Sequence, residues 1–312
     1  MDFHIRIGLN GSLTVVPISS IKPKNFKEIV EDTRPIGNNG MCNLGNTCCL
    51  NVVVQSFMHT VVLLQPCDNH MIEFCVVCMI RDLVDLCMSG ASDNVSPKKI
   101  ASHLRDNIVE EAFGGRFVRK RLKDIESVPA ALKSFTKIKK IEYSCERCKT
   151  YEPFEKHLLV DHAPSVAALH LKRFKNNGIV VQNVDMHVSF SLELDMLLYT
   201  SKINNEEMKY DLYAVIVHFR SSISLGHYYS FIRCAPNEWY KFDDNRVVFV
   251  EEDFVLATKA YIMFYAKRGT LWFSDYIKST LDQVYCEDQL QDVEIKLACS
   301  SNEEFMDALH EG

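Results

Sequence analysis

Four things are missing from this 312-residue sequence, and each absence removes a class of protein. There is no excess of positive charge. Thirty-five lysines and arginines stand against 41 aspartates and glutamates, giving a formal charge of −6 and a pI near 6.0. A chain that neutralises nucleic-acid phosphates needs the opposite balance, so no general nucleic-acid partner is expected. The local basic stretches, Arg116 to Lys123 and Lys133 to Lys140, read as solvated faces. The opening residues, Met1-Asp2-Phe3-His4-Ile5-Arg6, show no secretory pattern. No unbroken apolar stretch is long enough to span a bilayer. Cys48 to Leu64 carries no charge, but Asn51, Gln55, Ser56, His59 and Thr60 interrupt it, so no membrane partner is expected. No internal repeat is visible. Together these point to an intracellular protein of the cytosol or nucleus.

What is present begins with size. At 47% hydrophobic content the chain can bury a sizeable core, in one or two domains. Its twelve cysteines, in a chain of intracellular character, suggest reduced thiols and a metal rather than a disulfide framework. Helical signals run from Cys48 to Ile108, including a helix from Cys75 to Cys87 with Ile80, Leu83, Val84 and Leu86 near helical spacing. From Ile141 the pattern turns to strands: Val166–Phe174, Met186–Leu194, Tyr210–His218, Tyr228–Ile232, Val247–Val250 and Ala260–Ala266. Helices followed by strands predict an α+β architecture.

The most informative run is Gly40-Met41-Cys42-Asn43-Leu44-Gly45-Asn46-Thr47-Cys48-Cys49-Leu50-Asn51. From Cys48 onward, Leu50, Val53, Val54, Phe57, Met58 and Val61 fall on one helical face. Asn46 and Thr47 are suitable N-cap residues. Cys48 would then lie in the first turn, where unpaired N–H groups and the helix dipole favour a thiolate. By itself such a cysteine is as readily a packing residue as a nucleophile.

A base for that thiol lies far downstream. Ser224 to Arg233 reads as a turn feeding a strand, Glu238 to Asp244 as a second strand, and Ala235-Pro236-Asn237-Glu238 as the turn between them. In an antiparallel hairpin facing residues share a constant index sum, here near 473. His227 and Asp243 are therefore near neighbours across it. Asp243 can accept one imidazole N–H while the other nitrogen serves Cys48, the arrangement of nucleophilic catalysis. Taken singly, His227 reads equally as a surface histidine, and Asp243-Asp244 as a solvated acidic pair.

The Cys48 run resembles the cysteine box of the ubiquitin-specific proteases, papain-like deubiquitinases. The Gly226-His227-Tyr228 step with Trp239-Tyr240-Lys241-Phe242-Asp243-Asp244 resembles their histidine box. Leu169-His170-Leu171-Lys172-Arg173-Phe174 is similar to a third hallmark, and the three occur in the family's order. The likeness runs from Gly37 to Lys267 and is closest in tone to plant members. It leaves residues 1–36 as an N-terminal extension, 37–267 as the catalytic domain and 268–312 as a C-terminal tail. The extension has some strand character from Ser12 to Ile18. The tail ends in an acidic stretch, Glu303 to Asp307, expected to be disordered or a short helix.

The resemblance implies a helical thumb, an antiparallel β palm holding the site between them, and β fingers that grip ubiquitin. It implies Cys48 as nucleophile, His227 as general base and acid, Asp243 as orienting carboxylate and Asn43 as oxyanion donor. Asp244 is implied as a second acid for polar positioning. Cys49 is a vicinal thiol where the family carries an aromatic residue, and His170 is a structural histidine. Ubiquitin and ubiquitinated proteins are the implied partners. The activity implied is cleavage after the C-terminal glycine of ubiquitin, with no cofactor required.

The sequence also departs from that pattern. Family fingers carry zinc on two Cys-x-x-Cys knuckles. Here Cys145 and Cys148 form one, and Arg116 to Ser144 holds no cysteine to form the other. Two thiolates do not close a tetrahedral zinc site. A second candidate zinc set is Cys67, His70, Cys75 and Cys78, with a buried helix start at Cys75 and Cys78 as the alternative. The family's Gln-Glu-Asp-Ala-like helix has no counterpart between His103 and Phe113. Thumb and fingers are thus expected to be reduced, which allows a second function: a shortened member that binds ubiquitin or a partner without turnover.

Overall fold

The computed structural model describes residues 37–65, 75–89, 94–107, 126–144, 147–148, 151–171, 174–176, 181–183, 186–201, 208–220 and 226–283. The expected N-terminal extension, the basic stretch from Arg116 to Lys123, most of the segment between His103 and Phe113, and the tail beyond 283 lie outside them.

The first half is helical. After the short strand β1 (Gly40–Met41) come α1 (Cys48–Met58), α2 (Val61–Leu64), α3 (Val76–Met88), strand β2 (Asn94–Val95), α4 (Lys98–Asn107) and α5 (Val128–Thr136). β1 and β2 pair in parallel. Val54 and Met58 of α1 join Val61 and Leu64 of α2 and Ile80, Leu83, Val84 and Cys87 of α3 in one apolar cluster. Phe273 and Ile277, from a helical stretch over 273–283, close that cluster.

The second half is β. A hairpin of β3 (Lys139–Ser144) and β4 (Tyr151–Lys156) stands apart as reduced fingers. β5 (Val166–His170), β6 (Phe174–Asn176), β7 (Val181–Asn183), β8 (Glu193–Asp195), β9 (Lys209–Arg220), β10 (Gly226–Ala235), β11 (Glu238–Asp243), β12 (Arg246–Val250), helix α6 (Glu252–Leu256) and β13 (Ala260–Lys267) follow. The palm sheet runs β12-β11-β10-β9-β13-β5, with β8 on β9, and every pairing in it is antiparallel. Its central strand is buried on both faces. Leu212, Val215 and Val217 enter the core that α5 also feeds through Ala131 and Leu132. Ala214 and Ile216 face the other way, toward Val52, Val53 and Phe57 of α1. A sheet covered on both faces explains the nearly continuous apolar run in β9.

Three expectations need correction. α1 ends at Met58 and Val61 belongs to the next helix. Its buried set also contains Asn51, Gln55 and Ser56, which an apolar-periodicity reading excludes. Val166–Phe174 is not one strand, since β5 stops at His170 and Phe174 opens β6. Met186–Leu194 is mostly not a strand. Met186, Val188 and Phe190 are buried in the main core and Ser189 exposed, but among the described residues the segment's β-pairing before β8 is an isolated bridge between Ser189 and Ser127. It has the two-residue alternation of a strand without a ladder. Helix α5 was not expected. Ser127 caps it by accepting from Ala130 N, with Pro129 in its first turn.

Among the described residues no helix is long and apolar enough to cross a membrane. The described cysteines, including Cys48, Cys49, Cys87 and Cys234, are all thiols.

Candidate active site

Cys48 is the first residue of α1 and is buried; Cys49 beside it is exposed. The loop that delivers Cys48 is wound around one oxygen. Asn43 Oδ1 accepts from Gly45 N at 3.0 Å and Thr47 N at 3.2 Å. This needs two left-handed residues in succession, Gly45 at φ +90° and Asn46 at φ +57°, residue types that tolerate the conformation. Thr47 holds the N-cap position, but its side chain turns back to accept from Leu44 N at 2.9 Å and makes no cap hydrogen bond to the helix. The expected capping by Asn46 or Thr47 is therefore replaced by a loop-internal bond, which leaves the first helical N–H groups for other acceptors.

His227 lies near the start of β10 and Asp243 at the end of β11. The observed pairs, such as Phe231 with Lys241 and Ser230 with Phe242, set the index sum at 472. Asp243 is thus diagonal to His227, and His227 Nε2 lies 2.5 Å from Asp243 Oδ1. The turn that makes this register is Pro236-Asn237, with Asn237 left-handed at φ +64°. The second oxygen of Asp243 accepts from Lys241 Nζ at 2.7 Å. Burial works against ionisation of Asp243, but the hydrogen bonds and charges of Lys241 and His227 outweigh it and hold the carboxyl below its ordinary range. An ionised carboxylate only accepts, so Nε2 carries the proton and Nδ1 keeps a lone pair when the ring is neutral.

Asp244 joins the two halves. Its φ of +52° turns the chain sharply after β11. Its carboxylate accepts from Asn43 Nδ2 at 2.9 Å and from Asn51 Nδ2 at 2.7 Å, and its carbonyl accepts from Met41 N at 2.8 Å. The cysteine loop, the cysteine helix and the hairpin carrying Asp243 thus meet on one residue. Gly40 permits the approach: a Cβ there would stand 2.5 Å from the Asn245 carbonyl oxygen. Asn43 therefore spends one amide hydrogen on Asp244 and retains the other. Among the described residues no hydrogen bond joins Cys48 to His227, a separation common in substrate-free sites.

Two residues of this cluster escaped sequence reasoning. Lys241 sits two positions before Asp243, on the same strand face, so the alternation held its signal. Asn51 is one turn after Cys48 and is buried, at 2% exposure, despite its polarity. His170 is half-buried and meets Tyr261 edge-on, with ring centroids 4.8 Å apart, outside the cluster. A shallow cleft elsewhere, lined by His59, Tyr213, Arg233 and Trp272 among others, contains none of Cys48, His227 or Asp243.

Of the candidate zinc ligands, Cys67, His70 and Cys145 lie outside the described residues. Cys148 is exposed in a turn, and Cys75 and Cys78 begin α3. The described residues thus hold one candidate ligand at the first place and two at the second.

Comparison with known proteins accords with this geometry. The family model for ubiquitin carboxyl-terminal hydrolase matches residues 39–265. Ubiquitin carboxyl-terminal hydrolase 20 of Arabidopsis thaliana is 31% identical over 320 residues, covering 80% of this chain and 46% of its own length. Ubiquitin carboxyl-terminal hydrolase 21 of the same plant is 31% identical over 322 residues, covering 78% and 43%. The chain thus spans less than half the length of these relatives. Among solved structures, the SAGA Ubp8/Sgf11/Sus1/Sgf73 DUB module bound to ubiquitin aldehyde aligns with a TM-score of 0.54 at 18% identity, over 76% of this chain and 71% of that one. That likeness concerns the fold, a papain-like α+β arrangement of thumb, palm and fingers. The chain belongs to the ubiquitin carboxyl-terminal hydrolase family.

Proposed function

We propose that this protein is a thiol-dependent deubiquitinase that cleaves the isopeptide or peptide bond after the C-terminal glycine of ubiquitin. The observation that carries the proposal is the 2.5 Å His227–Asp243 pair on a hairpin fastened, through Asp244, to the loop and helix that present Cys48. Cys48 thiolate attacks the glycine carbonyl carbon. The remaining amide hydrogen of Asn43 and nearby backbone N–H groups receive the oxyanion, a contribution of about 3 kcal/mol for one such donor. His227 gives its proton to the leaving lysine amine, and the resulting thioester is hydrolysed with His227 as base. Asp243 keeps the imidazole in the tautomer that both steps need. These groups require no cofactor. Ubiquitin and ubiquitinated proteins are the proposed partners, and the cytosol or nucleus the proposed location.

The test is reaction with ubiquitin bearing a C-terminal electrophile, together with hydrolysis of a fluorogenic ubiquitin amide. A single adduct that is lost in Cys48→Ser supports the assignment. An adduct that persists in Cys48→Ser places the nucleophile elsewhere, with Cys49 first to be examined. Reaction only with probes built on another modifier moves the substrate to a ubiquitin-like protein.

A second reading is a family member that binds ubiquitin without turnover. The fingers, a two-stranded β3–β4 hairpin among the described residues, favour it. It predicts ubiquitin binding that is unchanged in Cys48→Ala and no hydrolysis of the fluorogenic amide.

A further inference from the structure

The shallow cleft away from Cys48 holds a cation whose neighbours leave it unmatched. α1 begins at Cys48 and ends at Met58, and His59 and Thr60, directly after it, line the cleft. A helix of that length puts about 16 Å between the cleft and Cys48. β10 runs the same way, from His227 near its start to Arg233 near its end. The palm thus supplies Arg233 to one side of the cleft, and Trp272, just before the 273–283 helix, stands on the other.

Most polar groups of the lining are already engaged. His59 meets the Gln55 carbonyl through Nδ1 and Asn38 Oδ1 through Nε2. The Thr60 and Tyr213 hydroxyls bond each other at 2.7 Å. Thr270 Oγ1 donates to the Lys267 carbonyl. Asp211 is the carboxylate of the lining, and both its oxygens accept from Arg268, at 3.3 and 2.8 Å. Glu252, close by on α6, accepts from Trp239 Nε1 at 3.3 Å. Arg233 differs. It is half-buried, and its Nε is buried without a hydrogen-bond partner among the described residues.

What holds the guanidinium is aromatic. Its central carbon lies over the Trp272 ring at 4.9 Å from the centroid and over the Trp239 ring at 6.0 Å. Ring faces attract the charge but accept none of the in-plane N–H groups. A partly desolvated cation of this kind is costly without an acceptor. The acceptor that matches a planar fork is an oxyanion taken in two parallel hydrogen bonds. Lys267 adds a second positive charge to the lining, while Val61, Val62, Val166, Ala266 and Leu271 make the rest apolar.

We propose that this cleft binds a carboxylate carried on a short apolar group, with Arg233 as the anchor of the carboxylate and Trp272 and the valines as the seat of the apolar part. Such a ligand touches the palm through Arg233 and the 273–283 helix through its neighbour Trp272, so it fastens the two together. A free organic acid and the C-terminus of a peptide ending in an apolar residue share this chemistry.

The chain has two tryptophans, Trp239 and Trp272, and both flank Arg233, so intrinsic tryptophan fluorescence reports on this place alone. The full chain is titrated with N-acetyl-leucine and, separately, with N-acetyl-leucinamide, which has the same apolar part and no charge. The acid is expected to give a saturable change with a Kd on the order of 1 mM. The amide is expected to bind about tenfold more weakly or not at all, and Arg233→Gln should bring the acid down to the level of the amide. The tripeptide Gly-Gly-Leu separates the two sources: binding tenfold tighter than N-acetyl-leucine assigns the peptide terminus, and equal binding assigns the free acid. No saturable change with the acid, or equal responses to acid and amide, would overturn the proposal without recourse to any variant. Inorganic phosphate binding as well as N-acetyl-leucine would overturn the carboxylate assignment. None of these readouts depends on turnover of ubiquitin, so the proposal stands or falls apart from the deubiquitinase reading.

Discussion

Asn43 donates its side-chain amide to Asp244 at 2.9 Å across 201 residues of chain, and Asn51 donates to the other oxygen of the same carboxylate at 2.7 Å. The residue next to Asp243 thereby fixes both the Asn43 loop and the helix that carries Cys48. Removing it should act on geometry and on stability together. Asp244→Ala leaves the buried Asn51 amide without its carboxylate and releases Asn43. The expected cost is about 1–3 kcal/mol in urea unfolding and roughly a hundredfold in kcat on a fluorogenic ubiquitin amide. Asp244→Asn keeps one acceptor oxygen and should lose less of both. Equal activity of Asp244→Ala and the parent would show that the clasp has no part in catalysis.

Asn43→Ala removes the proposed donor together with its hydrogen bond to Asp244. With no amide to meet the oxyanion, kcat should fall by about 10²–10³ while KM changes little. Steady-state kinetics on the fluorogenic substrate reads the split. A change confined to KM would assign Asn43 to substrate binding instead.

Lys241 gives the acid side of the pH profile. Asp243 has its carboxyl held below the ordinary range. Its contribution is therefore present above the unfolded value and disappears as pH falls through the lower folded value. In Lys241→Met one of the two lowering influences is gone and burial, which raises the value, remains. The acid limb of kcat/KM should move to higher pH in this variant, by an amount that a profile from pH 4 to 8 resolves. An unmoved limb would mean that Asp243 does not set it.

His59 predicts a different window. It is fully buried against Phe273, with ring centroids 4.1 Å apart, and Nδ1 donates to the Gln55 carbonyl at 2.8 Å. Burial lowers its pKa from 6.5 to about 4, against the opposing effect of that carbonyl. The unfolded chain therefore takes up this proton first. Stability conferred by neutral His59 is complete above pH 6.5 and is lost between there and pH 4, to the extent of roughly 3 kcal/mol. Urea midpoints measured at intervals across that range should show the slope, and His59→Gln should flatten it.

Much of this was legible in the sequence, for reasons that can be located. The Cys48 helix shows in its apolar spacing, and the His227–Asp243 hairpin in its turn residues; the expected index sum of 473 differs from the observed 472 by one. The α+β order follows from the change of period near Ile141. Asn51 was not legible, because a single polar residue in an apolar helix reads as an interruption until its acceptor, 193 residues away, is known. Lys241 was hidden likewise by the neutrality of strand propensity toward hydrogen-bond partners. The segment from Met186 misled in the opposite sense. Its burial alternates as in a strand, but alternation reports which side faces the core, whereas a strand also requires a neighbour for its backbone. Helix α5 is nine residues long, too short for its periodicity to declare itself.

The clasp at Asp244 also orders events in time. A chain made from its N-terminus exposes Cys48 and its helix early, while the hairpin that completes the site is synthesised about 200 residues later. Chains emerge at about 5–20 residues per second, so the thiol waits on the order of ten seconds or more without Asp244, Asn43 held by nothing but its own loop. On the proposed function, competence therefore comes only once the hairpin carrying Asp243 and Asp244 has been made.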